Sequence, residues 1–479
     1  MDAPDPPHDD PRTPAGPGGG PPSVPPADDD DHLASRPVHS TRLPGVDRQI
    51  LALAVPALGA LVAEPLFVLV DSAMVGHLGT DALAGLALAS TVLVTVIGLC
   101  IFLAYATTAA VARRIGAGDR RGALQTGVDG MWLALGLGIA LGALTWLTAP
   151  WLVAALGATG GVSAEAVTYL RWSVPGLPGM LLVLSATGAL RGMQDTRTPL
   201  VVASSGAVAN ALLNALLIYG LGLGIAGSGL GTAVAQLGMG AWLVVVVARG
   251  ARDAGASLMP AAGGIWANAR AGIPLLVRTA TLRLAILLTV WTATGLGATA
   301  LAGHQVVNAV WGLTAFALDA LAIAAQALVG HALGARDVAR ARAVLRRTLQ
   351  WGVGAGAVMG VLVGALSPLY VRVFSPDDDV QRAAVVGLVV AAVALPMAGW
   401  VFVLDGVLIG AGDGPFLAWA GVATLVAYVP AALAVHAWAP AGPMGLAWLW
   451  VAFAVVFMAA RALTTGLRAR GSTWMVVGA

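Results

Sequence analysis

Twelve apolar segments, each long enough to cross a bilayer, decide what this chain can become. They run over roughly 50–75, 82–109, 124–148, 164–188, 199–220 and 226–249, then 271–295, 300–328, 345–367, 380–408, 416–437 and 443–465. A span needs about 20 mostly apolar residues, and inside hydrocarbon every backbone N–H and C=O must find its partner within the segment. The expected fold class is therefore an all-α integral membrane protein. Composition agrees: 10% of the residues are charged, where a soluble domain carries about 25%. Mean hydropathy is +0.84. The connections are short except between Arg249 and Arg270. A single cysteine, Cys100, excludes an intramolecular disulfide. Residues 1–45 are polar, Pro-rich and acidic at Asp28 to Asp31, with no apolar leader, and are expected to be a disordered tail.

Arginine sets the orientation. All 26 basic residues are arginine, a usage that points to a GC-rich bacterial genome. With the N-terminus inside, the cytoplasmic segments gather the arginines from Arg42 to Arg121, Arg191 to Arg270, Arg336 to Arg347 and Arg461 to Arg470. The opposite loops hold only Arg372 and Arg382. The positive-inside rule then places both termini in the cytoplasm of a bacterial cell with the chain in its inner membrane.

The chain also repeats itself. A shift of 218 residues carries Pro56 onto Pro274, Ala82-Leu-Ala-Gly85 onto Ala300-Leu-Ala-Gly303, and Ile115-Gly-Ala-Gly-Asp119 onto Leu333-Gly-Ala-Arg-Asp337. Pro178 falls on Pro396, Gly192 on Gly410, Gly224 on Gly442 and Gly227 on Gly445. Two six-helix bundles, 46–250 and 271–468, are expected to share one orientation about a pseudo-two-fold axis along the membrane normal. A cytoplasmic linker, 251–270, joins them, and 469–479 forms a C-terminal tail. Such a duplicated bundle is the usual architecture of a secondary transporter.

Polar residues that the halves do not share are the functional candidates. Asp71 falls on Thr289, Glu64 on Leu282, Asn210 on Tyr428 and Asn214 on Ala432, while Asp319 and Asp405 fall on Ile101 and Thr187. A charge at bilayer depth costs at least a few kcal/mol, so such groups face a partner, an ion or a substrate path. Glu64 and Asp71 stand seven residues apart, within about 20° on one helix face, with Pro65 between them and Pro56 two turns before. The prolines free carbonyls and invite a bend that responds to charge. Either basic partners neutralise the two acids, or they form a coupling-ion site. An unpaired carboxyl group in low dielectric favours its neutral form, as a proton carrier must. Asn210 and Asn214, four apart, share a face and either tune that group or serve as polar glue between helices. The second half has Arg278 and Arg283 with Asp319 and Asp405, which can pair two by two or serve as a charge network lining a substrate cavity.

The stretch E-P-L-F-V-L-V-D-S-A-M-V-G-H-L-G from Glu64, followed by A-L-A-G, L-R-G-M-Q-D-T-R-T-P, N-x-x-x-N-x-x-x-x-Y-G-x-G-x-G-x-A-G and F-A-L-D-A-L-A-I-A-A-Q-A-L-V-G, resembles the MATE family of multidrug and toxic-compound extrusion transporters, in its DinF-like branch. The resemblance covers about residues 48–470. It implies that Asp71 is the protonatable residue, that Asn210 and Asn214 share its cavity, and that Thr232 of the sixth span contributes. Relatives often carry Asp at the second of the paired positions; Asn214 cannot ionise. The sodium-coupled NorM-like branch implies an acid in the seventh span, and residues 271–298 hold none, which favours protons. The function implied is export of an organic, cationic or amphiphilic compound against entering protons, by a monomer. The alternatives are sodium coupling within the same family and a flippase of a lipid-linked precursor, which Arg278 and Arg283 keep open.

Other signals do not rise to chemistry. Gly222-Leu-Gly224-Ile-Ala-Gly227 matches G-x-G-x-x-G, but an apolar helix precedes it and another follows, so a tight turn is expected rather than a dinucleotide site. Without lysine there is no P-loop. The seven histidines show no metal-ligand spacing, and no nucleophile–base pair marks an enzyme. No catalytic residue, cofactor, metal or nucleic-acid partner is expected. The run Arg336 to Arg347 is expected to solvate a loop and touch anionic lipid, with Trp266 and Trp351 in interfacial belts.

Overall fold

The computed structural model describes residues 45–478, so the expected N-terminal tail, with Arg42 of the orientation argument, lies outside the described residues except for Gly45. Twelve helices are long and apolar enough to span a membrane. They are α1 (Val46–Gly76), α2 (Thr80–Gly116), α3 (Arg120–Ala155), α4 (Gly160–Gly192), α5 (Arg197–Gly220) and α6 (Gly224–Asp253), then α7 (Ala262–Gly295), α8 (Ala298–Gly334), α9 (Val338–Phe374), α10 (Asp378–Gly410), α11 (Gly414–Trp438) and α12 (Pro443–Arg470). The described residues form no strand.

Packing sorts the helices into two sets of six. In the first, α1 packs on α5, α2, α3 and α6 on α4, and α5 on α6; in the second, the helices six places on make the same pairings. The duplication reaches the backbone. Left-handed residues recur at the 218-residue shift: Gly79 with Gly297, Gly118 with Arg336, Gln194 with Gly412, and Gly224 with Gly442. Arg336 holds φ 59° where its counterpart is glycine, a conformation costing an L-residue about 1–2 kcal/mol. The turn is kept because the next residue caps the following helix in both halves. The Asp119 carboxylate accepts from the Gly122 amide at 2.8 Å and the Asp337 carboxylate from the Arg340 amide at 2.8 Å. The G-x-G-x-x-G stretch is the expected turn, with Gly222 and Gly224 left-handed at φ 66° and 58° between α5 and α6.

The sets meet at the end that carries the described N- and C-terminal residues. One hydrophobic cluster there draws on both, including Ile50, Leu53 and Ala57 of α1, Ala324 and Leu328 of α8, and Trp474 beyond α12. Helices α2 and α8 cross backbone to backbone. A Cβ on Gly116 would stand 2.0 Å from the His331 carbonyl oxygen, and one on Gly334, its repeat partner, 1.9 Å from that of Arg113. Two expectations are corrected here. Arg347 does not simply solvate a loop: its Nε and Nη2 donate to the Asp47 carboxylate across the sets at 2.5 and 2.7 Å. Trp351 is not a belt residue alone, since its Nε1 donates to the same carboxylate at 2.9 Å.

Candidate functional site: a carboxyl group held by neutral donors

Helix α1 runs unbroken through Pro56 and Pro65. Neither proline has an N–H, so the carbonyls one turn earlier lose their helical partners. Ile50, Leu53 and Ala57 of its first half lie in one cluster with residues of α8, and further along Asp71 turns toward α4, α5 and α6, where it is 3% exposed.

Three donors from three helices meet that carboxylate. Ser228 Oγ of α6 and Asn214 Nδ2 of α5 donate to Oδ1 at 2.5 and 2.7 Å, and Tyr169 OH of α4 donates to Oδ2 at 3.3 Å. Behind them, the Tyr169 hydroxyl lies 3.5 Å from Thr232 Oγ1, which accepts from Asn210 Nδ2 at 3.3 Å. Asn214 Nδ2 also donates to Asn210 Oδ1 at 3.2 Å. The network closes into a ring, with Asn210, Asn214 and Ser228 all at 1% exposure or less. Ser228 and Thr232 are four apart and so share one face of α6. Asn214 fits against α6 because Gly231 is bare; a Cβ there would stand 2.0 Å from the Asn214 Oδ1.

The geometry assigns a proton its place. Asn214 Nδ2 can only donate, so Oδ1 stays an acceptor. A proton taken up by this group would have its place on Oδ2, facing the Tyr169 hydroxyl. That hydroxyl can reverse, accepting from Asp71 and donating to Thr232. Among the described residues no cation comes within 4.0 Å of Asp71. Arg171, the nearest in sequence to Tyr169, lies instead over the Trp146 ring at 5.2 Å.

The second set keeps the scaffold and lacks the charge. Thr289 stands where Asp71 does and Tyr428 where Asn210 does, and their hydroxyls are 2.7 Å apart. Ser228 and Thr232 become Leu446 and Trp450, and Tyr169 becomes Gly387. Trp450 Cδ1 comes within 3.3 Å of a Cβ built on Gly387. An indole thus fills the space that two hydroxyl side chains occupy in the first half.

The other candidates fall out differently. Glu64 is exposed, stays outside the Asp71 ring and makes no hydrogen bond or ion pair among the described residues. The two-by-two pairing of the second half does not form. Asp405 Oδ2 accepts from Arg278 Nη2 at 2.6 Å and also from Arg461 Nη2. Arg461, assigned above to the cytoplasmic arginines, is instead 8% exposed inside α12. Among the described residues Asp319 has no ion pair within 4.0 Å, and it lies in Coulombic reach of Arg191 and Arg278. Arg283 pairs with no carboxylate among the described residues; its Nη2 lies 2.5 Å from a Cβ built on Gly98 of α2. Sequence reasoning missed Tyr169, Ser228, Arg191 and Arg461. Only Ser228 left a signal, four residues before Thr232.

Known proteins agree with this architecture. The chain is 31% identical over 436 residues, 87% of its length and 82% of the relative's, to Protein DETOXIFICATION 44, chloroplastic, of Arabidopsis thaliana. It is 29% identical over 378 residues, 77% of its length and 82% of the relative's, to DNA damage-inducible protein F of Escherichia coli strain K12. Among solved structures, a MOP superfamily transporter from Pyrococcus furiosus superposes with TM-score 0.81 at 21% identity, covering 90% of this chain and 96% of that one. The Vibrio cholerae MATE transporter VcmN in its bent form gives TM-score 0.80 at 20% identity, covering 89% and 97%. The MatE family model matches twice, over residues 56–216 and 274–433, two stretches whose starts lie one repeat apart. With both halves matched and relatives aligned along most of its length, the chain belongs to the MatE family of efflux transporters.

Proposed function

We propose that this transporter exports an organic compound in exchange for entering protons, working as a monomer in a bacterial inner membrane with both termini cytoplasmic. Asp71 is the proton carrier. Asn210, Asn214 and Thr232 hold its surroundings in either protonation state, and the Pro56/Pro65 helix responds to its charge. One observation carries the reading: Asp71 is sealed among partners that are all neutral, and one of them, Tyr169, can either donate or accept. A sodium ion needs several oxygen acceptors converging on it. Asp71 Oδ1 is met instead by an amide N–H and a hydroxyl, which supports protons over sodium. Purified protein in sodium-free liposomes is expected to move protons when a lipophilic cationic dye is offered on the opposite side. Proton movement that appears only with sodium would refute the coupling proposed.

A second reading concerns substrate charge. Arg191, Arg278 and Arg461 face only Asp319 and Asp405 in the cluster, and Arg283 adds an unpaired guanidinium. The excess of positive charge supports a substrate with an anionic head group, the lipid-linked precursor included. The Pyrococcus furiosus neighbour is itself described by a binding pocket of reversed polarity. Arg283→Gln is expected to weaken binding of an anionic amphiphile about tenfold, one charged hydrogen bond's worth, and to leave the cationic dye unaffected. Equal effects on both probes would remove this reading.

A further inference from the structure

The segment after α12 grips the opposite set of helices. Arg113, in the last turn of α2, donates through Nε to the Gly478 carbonyl at 3.0 Å and through Nη2 to the Gly478 and Val476 carbonyls at 2.6 and 2.9 Å. Its Nη1 donates to the Ala411 carbonyl, just past α10, at 2.6 Å. No carboxylate among the described residues takes part. The Gly478 amide in turn donates to the Leu333 carbonyl of α8 at 3.1 Å. The segment is anchored to its own set. Trp474 is 1% exposed in the cluster that joins the halves, and Arg468 binds Asp413 at 2.7 Å and Thr473 Oγ1 at 2.7 Å.

From this geometry we infer that residues 471–478 form a latch that keeps the two sets closed at this end, with Arg113 as its catch. Alternating access requires the sets to part here, where α2 and α8 cross at Gly116 and Gly334. Parting them carries Arg113 away from Ala411 and from the segment tied to α12, breaking four charge-assisted hydrogen bonds at once. Nothing in the repeat supplies a twin: the residue matching Arg113 is His331, and the chain after α6 runs on into the linker. The closed end is therefore held asymmetrically, by one half's tail on the other half's helix.

The latch rests on the alternating-access reading but not on Asp71, which every variant below retains. Spin labels at Arg120 and Ala339, both exposed on opposite sets, report the separation at this end by pulsed electron–electron resonance. The full-length chain is expected to give one short distance. Arg113→Gln, and separately deletion of residues 471–479, should each raise the population of a longer distance about tenfold, with the monomer peak in gel filtration unchanged. A short distance retained in both variants overturns the latch. A pH titration of the labelled full-length chain reads the Asp71 proposal independently.

Discussion

Asp71→Asn should leave a folded protein that no longer couples. The amide is nearly the same size, its oxygen can still accept from Ser228 and Asn214, and its NH2 can donate to Tyr169. The fold loses little. What disappears is the proposed proton site, since no other side chain in the ring of α1, α4, α5 and α6 is a carboxyl group. Proton-driven efflux in liposomes is expected to fall by about two orders of magnitude, in the range found when a proton-transferring side chain is removed. The matching change in the second half, Thr289→Val, removes the 2.7 Å contact with the Tyr428 hydroxyl and the 2.8 Å hydrogen bond to the Ala285 carbonyl of its own helix. It should cost about 1 kcal/mol of stability and leave coupled efflux near the unaltered rate. Equal losses from both substitutions would show that the site is not confined to one half.

The second large effect concerns stability. Asp405 binds two guanidinium groups, with side-chain exposures of 7% for the acid and 12% and 10% for Arg278 and Arg461. Asp405→Asn leaves both cations buried with only a neutral amide oxygen in place of the Oδ2 that they share. Breaking a buried pair in this way costs about 3–5 kcal/mol, so the variant should unfold at a markedly lower temperature in detergent. Adding Arg461→Met to Asp405→Asn removes one stranded charge, and the double variant should recover part of the loss, because the two sites are coupled. A double variant no more stable than Asp405→Asn alone would show that Arg461 is not what the acid compensates.

The span count, the duplication and the pairing of Asn210 with Asn214 on one face were legible in the sequence for physical reasons, while their place beside Asp71 was implied by the family resemblance. Hydrophobic length alone sets a span, a shared register exposes a repeat, and a spacing of four places two amides on one face. Glu64 shows where that logic stops. Its spacing from Asp71 gives a common face, but Asp71 is 3% exposed against α4, α5 and α6 while Glu64, two turns earlier, is exposed, so a common face does not give common partners. Tyr169 lies 98 positions from Asp71, and Ser228 lies 157. Their roles come from helix contacts that no local spacing encodes. Arg461 was hidden by its position near the end of the last span, where arginine normally marks the cytoplasmic boundary. The Asp47–Arg347 pair, 300 positions apart, was hidden in the same way.

The proposed mechanism turns on whether the Asp71 carboxyl group gains and loses a proton inside the membrane. Infrared difference spectra of the reconstituted protein, taken as pH is lowered, read this without reference to any substrate. The expected result is a protonated-carboxyl stretch that grows as pH falls and is missing from Asp71→Asn. A spectrum identical in the two proteins would contradict it.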